Sequence, residues 1–111
     1  MNRGNVVLVD WPYSDRTGSK LRPAVVVQAD FLNELIDDTV LALISSKKHG
    51  LAEVEIDPTQ ETLSGLMQTS YLTGMNLLTS DQVLVVRTLG VLSAETLDKI
   101  NACLKLALQL P

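Results

Sequence analysis

Apolar residues fall along this chain in short bursts, with polar and turn-forming stretches between them. A helical spacing is clear only near the end. Asn5-Val6-Val7-Leu8-Val9-Asp10 predicts a first strand. A second runs from Lys20 to Gln28, where Ala24-Val25-Val26-Val27 is an unbroken and largely β-branched run. Such a run suits a strand buried on both faces. Pro23 fits the first position of that strand, where a missing N–H costs least, and it forces Arg22 to be extended. Thr39 to Ile44 predicts a third strand. Glu53-Val54-Glu55-Ile56 alternates, as a half-exposed strand does, and Asp57-Pro58 ends it.

After the polar stretch Thr59–Ser64, residues Gly65–Leu72 predict a further strand and Gly74 a break. Asn76–Asp81 is a short element, and Gln82–Thr88, with Val83-Leu84-Val85-Val86, is a strand. Gly90 marks a break before the last element. Ser93 is a good helix cap, and Glu95 in the first turn favours the helix dipole. Leu97, Ile100, Leu104, Ala107 and Leu108 recur with helical spacing and predict one apolar face on a helix over Ser93–Leu108. The pattern predicts a mainly β fold: a small barrel of about five to seven strands closed by a C-terminal helix. No repeat or linker divides residues 1–111, so a single domain is expected.

The connections differ in chemistry. Trp11–Ser19 is dense in turn residues and holds the only Trp, one of two Tyr (Tyr13) and Arg16. Aromatics beside a cation can stack unpaired bases and contact phosphates. Trp11 fits equally well as a plug at the barrel end. Ala29–Asp38 predicts a connection with one helical turn at Phe31–Leu35. Ser45–Gly50 is a polar, basic loop.

Composition narrows the class. Hydrophobic residues make up 46% and charged residues 20%, ordinary for a soluble globular protein. The longest apolar runs are too short to span a bilayer, and the N-terminus lacks a signal-peptide core. Cys103 is alone, so no intrachain disulfide forms and no zinc site is suggested. A cytoplasmic protein with no membrane partner is expected. The net charge of −4 argues against a general nucleic-acid coat protein. Residues 1–49 nonetheless carry six basic side chains against six acidic, while residues 50–111 carry three against seven. A local basic patch can therefore bind RNA, with salt-sensitive affinity.

Strands two and three flank one connection, so antiparallel pairing is the simplest topology. A register symmetric about that connection sets Gln28 opposite Thr39 and Arg22 opposite Ser45. Directly opposed residues share a face, with Cβ atoms roughly 4.5–5.5 Å apart, and a one-residue slip would separate them. Lys20, Ser46, Lys47 and His49 would then surround the pair. A rim arginine paired with a nearby acid explains the same local residues. A guanidinium and a hydroxyl ringed by cations also suit a phosphodiester. The chemistry that fits is RNA cleavage by the substrate's own 2′-OH, with no metal and no covalent intermediate. Arg22 and Ser45 would act as donors clamping the pentavalent phosphate. The chain has no HxxxH or CxxC motif. His49, the sole histidine, is of the residue type suited to a base, but its place in a Lys-rich loop fits a plain solvated residue better.

These segments resemble the MazF/PemK family of toxin–antitoxin ribonucleases over nearly the whole chain. Arg3-Gly4-Asn5 through Asp10 resembles the family's RGDxxxVD opening, with Asn5 in place of Asp. Arg22-Pro23-Ala24-Val25-Val26-Val27-Gln28 resembles its RPxLVIQ strand, and Thr39–Ser45 its strand ending in Thr or Ser. Asn76–Asp81 is similar to its xxxTID segment, keeping Thr79 and Asp81. Gly90-Val91-Leu92-Ser93 and the Leu-rich helix resemble its GxLS ending. The resemblance implies an SH3-like barrel of the CcdB/PemK/MazF type with a C-terminal helix, usually a homodimer. It implies an endoribonuclease toxin, or mRNA interferase, that cleaves single-stranded RNA without a cofactor or metal and is restrained by a cognate antitoxin.

Carried over by position, Arg22 and Ser45 fall on the catalytic pair. Tyr13, Arg16, Ser19, Lys20, Ser46, Lys47, His49, Thr79 and Asp81 are the substrate-binding candidates. The family view gives the arginine a role in proton transfer, although arginine holds its proton at neutral pH. Leu78 stands where many members carry Arg, which removes a phosphate contact, and the Trp11–Ser19 loop departs from the common GSEQ-type loop. An acidic antitoxin-like partner is expected to dock over the basic loops. Two other readings use the same barrel: a CcdB-like gyrase inhibitor acting through its helix and dimer surface, and an inactive binding module.

Overall fold

The β-branched runs become central strands because both of their faces find something to bury. The computed structural model describes all 111 residues. The elements are β1 (Asn5–Pro12), β2 (Ser19–Val26), α1 (Asp30–Leu35), β3 (Asp38–Ser45), β4 (Glu53–Ile56), β5 (Ser70–Asp81), β6 (Val85–Val91) and α2 (Ala94–Leu108). A 3₁₀ turn at Gln82–Leu84 separates β5 from β6 and takes the first three residues of the strand expected over Gln82–Thr88. The strands form one sheet in the order β4-β5-β3-β2-β1-β6, with every neighbouring pair antiparallel.

Alternation sends neighbours to opposite faces. Val6, Val25, Ala42, Ile44, Val54, Ile56 and Leu72 meet Ile100 and Cys103 of α2 in one core group. Val7, Val9, Trp11, Ala24, Val26, Leu41 and Leu43 form the other. Val25 and Val26 are both fully buried although they point in opposite directions.

The protein is mainly β with a C-terminal helix, as expected, but the sheet does not close. Its edges are β4 and β6. Past β4 the chain coils instead of extending. Gln60 and Glu61 donate to the Asp57 carbonyl, and the Asp57 carboxylate accepts from the Thr59 N–H at 2.9 Å. Pro58 offers no N–H for a ladder. The segment then reaches β6 through isolated contacts. The Val91 N–H donates to the Leu63 carbonyl at 2.9 Å, and the Ser93 N–H to Glu61 Oε1 at 2.8 Å.

Neither Gly74 nor Gly90 breaks a strand. Both mark close approaches. β5 runs through Gly74, where a Cβ would lie 3.0 Å from Cys103 Sγ and 3.1 Å from Ala107 Cβ of α2. Gly90 lies within β6, against the backbone of Leu63 and Ser64. The α2 cap is as expected, with Ser93 Oγ accepting the Thr96 N–H at 3.3 Å. Its buried line is Thr96, Ile100 and Cys103, continued by half-buried Ala107. At 3.6 residues per turn Leu108 stands well round the helix from that line. It is exposed, not part of the core face.

Gly90→Ala should cost about 1–3 kcal/mol, since an added methyl meets backbone that has no rotamer to yield. Gly74→Ala should cost less, because its added Cβ comes no nearer than 3.0 Å to any atom, whereas at Gly90 it would overlap the Leu63 and Ser64 backbone. Urea denaturation of the two variants checks the order.

Candidate active site

β2 and β3 meet with Ala24 opposite Leu43, Val25 opposite Ala42 and Val26 opposite Leu41. This is the symmetric register, and continued by two residues it sets Arg22 opposite Ser45. The ladder stops at Ala24 and Leu43, where Pro23 brings no N–H to continue it. Each strand keeps its outer partner: Arg22 faces Val9 of β1, and Ser45 faces Tyr71 of β5. The two inner edges part, and the opening is the mouth of a cleft of ≈ 970 Å³ that Arg22 and Ser45 both line. Along β2 the row Val26, Ala24, Arg22 shares one face; along β3 the matching row is Leu41, Leu43, Ser45. Both rows turn from apolar to polar where the strands separate.

The β1–β2 hairpin forms one wall, from Trp11 to Asp15 and again at Lys20 and Leu21. Ser46, Lys47 and His49 of the β3–β4 loop form another, and Gln68, Ser70, Thr73, Met75 and Asn76 a third. The lining holds Lys20, Arg22 and Lys47 against a single carboxylate, Asp15. That carboxylate is tied into its own turn, accepting the Thr17 N–H at 3.0 Å and the Thr17 hydroxyl at 2.8 Å. Those bonds, the backbone one foremost, hold its carboxyl below the usual aspartate value. The cleft is thus locally positive in a chain of net charge −4. Ser45 Oγ accepts the Lys47 N–H at 3.1 Å. The hydroxyl proton remains available to an acceptor in the cleft.

Of the residues singled out from the sequence, the fold gathers Tyr13, Lys20, Arg22, Ser45, Ser46, Lys47 and His49 at this cleft. Arg16 and Ser19 belong to the same hairpin but do not line it. Arg16 has a φ of 63° and donates its N–H to the Tyr13 carbonyl, shaping the loop tip. Thr79 and Asp81 are not brought to the cleft. They lie toward the C-terminal end of β5, opposite Val40 and Asp38, beyond Asn76, the last β5 residue of the lining. Asp81 Oδ1 there accepts the Val83 N–H at 3.0 Å, capping the 3₁₀ turn. Leu78 packs half-buried against the Trp11-containing core group. Trp11 itself is 5% exposed, at once part of that core and part of the cleft lining. Gln68, Ser70, Thr73 and Asn76 were not singled out from the sequence. Reading a break at Gly74 hides the continuity of the strand that carries Thr73 and Asn76 to the wall, while Ser70 falls in the strand expected over Gly65–Leu72.

Chemically the cleft offers a forked cation, a free hydroxyl donor and two ammonium groups converging on one opening. Such a set binds a phosphate diester and stabilises charge that develops on its oxygens.

Comparison with known proteins agrees with the fold. A family model described as PemK-like, MazF-like toxin of type II toxin-antitoxin system matches residues 2–108. A search of curated proteins found no match. A solved endoribonuclease in complex with its cognate antitoxin, from Mycobacterial species, superposes with a TM-score of 0.83 at 24% identity, over 100% of this chain and 97% of that one. The Mycobacterium tuberculosis toxin MazF-mt6 gives 0.75 at 22% identity, over 95% and 98% of the two chains. A MazE-MazF structure from Deinococcus radiodurans gives 0.77 at 17%, over 100% and 98%.

The Asp15 carboxyl should titrate below 3.8 in an NMR pH series, the value it would have without its turn. Thr17→Ala removes the hydroxyl bond and should move the midpoint part of the way back up.

Proposed function

The chain belongs to the PemK-like, MazF-like toxins of type II toxin–antitoxin systems, and on that premise we propose that it is an endoribonuclease that cleaves single-stranded RNA by attack of the 2′-OH on the adjacent phosphate. The observation that carries the proposal is Arg22 and Ser45 lining one cleft where β2 and β3 part. The 2′-oxygen gives up its proton to a base and attacks phosphorus, the P–O5′ bond breaks, and O5′ takes a proton from solvent, leaving a 2′,3′-cyclic phosphate and a 5′-hydroxyl. No metal or cofactor enters these steps. The Arg22 fork and the Ser45 hydroxyl donate to the non-bridging oxygens as negative charge grows on them. The Arg22 guanidinium serves as a donor and not as a base. His49, on the same lining, is the candidate to take the 2′-OH proton. Lys20 and Lys47 hold flanking phosphates, Ser46 adds a hydroxyl beside them, and the half-exposed Tyr13 ring offers a base a stacking surface. Arg16 and Ser19, at the hairpin, would meet RNA that continues beyond the cleft.

The proposal includes a cognate antitoxin, a homodimer and a cytoplasmic site of action. A partner with an acidic segment would dock over Arg16, Lys20, Arg22, Lys47 and Lys48 and occupy the phosphate positions. Support for the homodimer comes from the end of the sheet away from the cleft. Gln82 Nε2 donates to the Asn33 and Ile36 carbonyls, which sets the 3₁₀ turn beside α1. Leu35, Ile36, Val83 and Leu84 are all exposed there, an apolar group that a second copy would cover.

Arg22→Ala should lower single-turnover cleavage of a long single-stranded RNA by ~10²–10³, the effect typical of losing one preorganised donor. Arg22→Lys should rescue little, because a point charge replaces a fork. Ser45→Ala should cost less than either, and all three should unfold near the wild-type temperature. Cleavage should persist in excess EDTA and leave 2′,3′-cyclic phosphate ends. Full activity in Arg22→Ala would remove Arg22 from the mechanism, and loss of activity in EDTA would rule out the metal-free path.

Reversing charge at Lys47 and Lys48 should slow association with an acidic-tailed antitoxin and flatten its salt dependence. Stopped-flow binding at two ionic strengths reads both effects.

A further inference from the structure

The loop from Ser46 to Ala52 carries Lys47 and His49 to the cleft wall without regular structure of its own. Its backbone is tied down at its return to β4. Glu53 accepts the His49 N–H on Oε2 at 2.8 Å and the Gly50 N–H on Oε1 at 2.9 Å. The Ala52 carbonyl accepts the Gly74 N–H at 2.9 Å and the Cys103 thiol at 2.9 Å. Between these ties the chain turns through left-handed conformations, with φ of 84° at Gly50 and 43° at Ala52. A non-glycine residue persists there only when its surroundings over-determine it. Glu53 itself stands opposite Thr73, another residue of the cleft lining.

We propose that Glu53 is a positioning residue for the cleft: by bridging the His49 and Gly50 amides it holds the β3–β4 loop where Lys47 and His49 face Arg22. The role deepens the ribonuclease reading and rests on it. Both Glu53 oxygens are engaged with backbone donors, so the carboxylate acts through the loop and not as a base. Hydrogen bonds to a charged acceptor are roughly twice as strong as neutral ones, and a two-point bridge fixes direction as well as distance. Desolvation pulls the Glu53 pKa upward, but the two amide bonds and the nearby His49 and Lys48 charges outweigh it and leave the pKa lowered. With a lowered pKa the bridge is complete at neutral pH and is lost only as pH falls through the folded value, below 4.5.

Glu53→Gln keeps the shape and removes the charge and one acceptor. Two measurements test it: amide hydrogen exchange at His49 and Gly50, and affinity for a single-stranded RNA oligomer whose 2′-OH groups are all methylated. Exchange at both amides should quicken by ~10-fold, the scale of losing a charge-assisted bond, and affinity should fall by a similar factor while thermal unfolding barely moves. In a background where Lys47 and His49 are both alanine, Glu53→Gln should cost no further affinity. Unchanged exchange, or unchanged affinity beside a wild type that binds, would overturn the positioning role alone. An equal loss in both backgrounds would overturn it too, since Glu53 would then act other than through those two side chains. A wild type that binds no RNA would overturn the ribonuclease reading and the positioning role together.

Discussion

The register between β2 and β3 is held from the end farthest from the cleft. Asn33 of α1 is 7% exposed, and its Oδ1 accepts the Thr39 hydroxyl at 2.7 Å and the Gln28 amide at 2.9 Å. Gln28 also donates to the Asp38 carbonyl at 2.9 Å, and Asn33 Nδ2 returns a bond to the Gln28 carbonyl at 3.1 Å. Gln28 and Thr39 are thereby joined through one buried side chain, and every later pair of the hairpin follows from that anchor. A slip of one residue would turn Ala24, Val26, Leu41 and Leu43 out of their core group and leave buried polar atoms unpaired. It would also carry Arg22 and Ser45 to opposite faces. Core packing and the polar anchor therefore demand the same register that the site needs.

Polarity then does the rest. Pro23 ends the β2–β3 ladder just where the inward rows change from apolar to polar. What would be an exposed sheet corner becomes an opening floored by Trp11 and bordered by cations. Arg22 is half-buried and its backbone is extended within a paired strand, so its Cα is fixed at the opening before any ligand arrives. The loops add charge without adding a competing acid, because Asp15 is tied to Thr17 and Glu53 to the loop backbone. A chain that is acidic overall can thus present one site fit for an anion.

Much of this was legible in the residues because it is local. The alternation in β4, the β-branched run in β2 and the Ser93 cap each predict their own element. Symmetry about the α1 connection was enough to give the β2–β3 register, Ala24 opposite Leu43, that brings Arg22 and Ser45 to one cleft. Contacts from distant parts of the chain explain the clearest miss. Gly74 reads as a strand breaker, but α2 needs it bare so that Cys103 and Ala107 can pack on a continuous β5. Barrel closure fails because Asp57-Pro58 coils the chain away from a ladder. Leu108 fits a helical repeat by spacing, yet the helix's buried line runs through Thr96, Ile100 and Cys103. Thr79 and Asp81 are carried over by resemblance, and they lie on β5 beyond Asn76, outside the cleft lining.

The most direct test of a shared Arg22–Ser45 phosphate site is a crystal structure of the protein with a single-stranded RNA methylated at the attacking 2′-OH. One phosphate should have non-bridging oxygens within about 2.7–3.1 Å of both the Arg22 guanidinium and Ser45 Oγ. RNA bound with its phosphates away from the cleft, or with no phosphate touching both side chains, would contradict it.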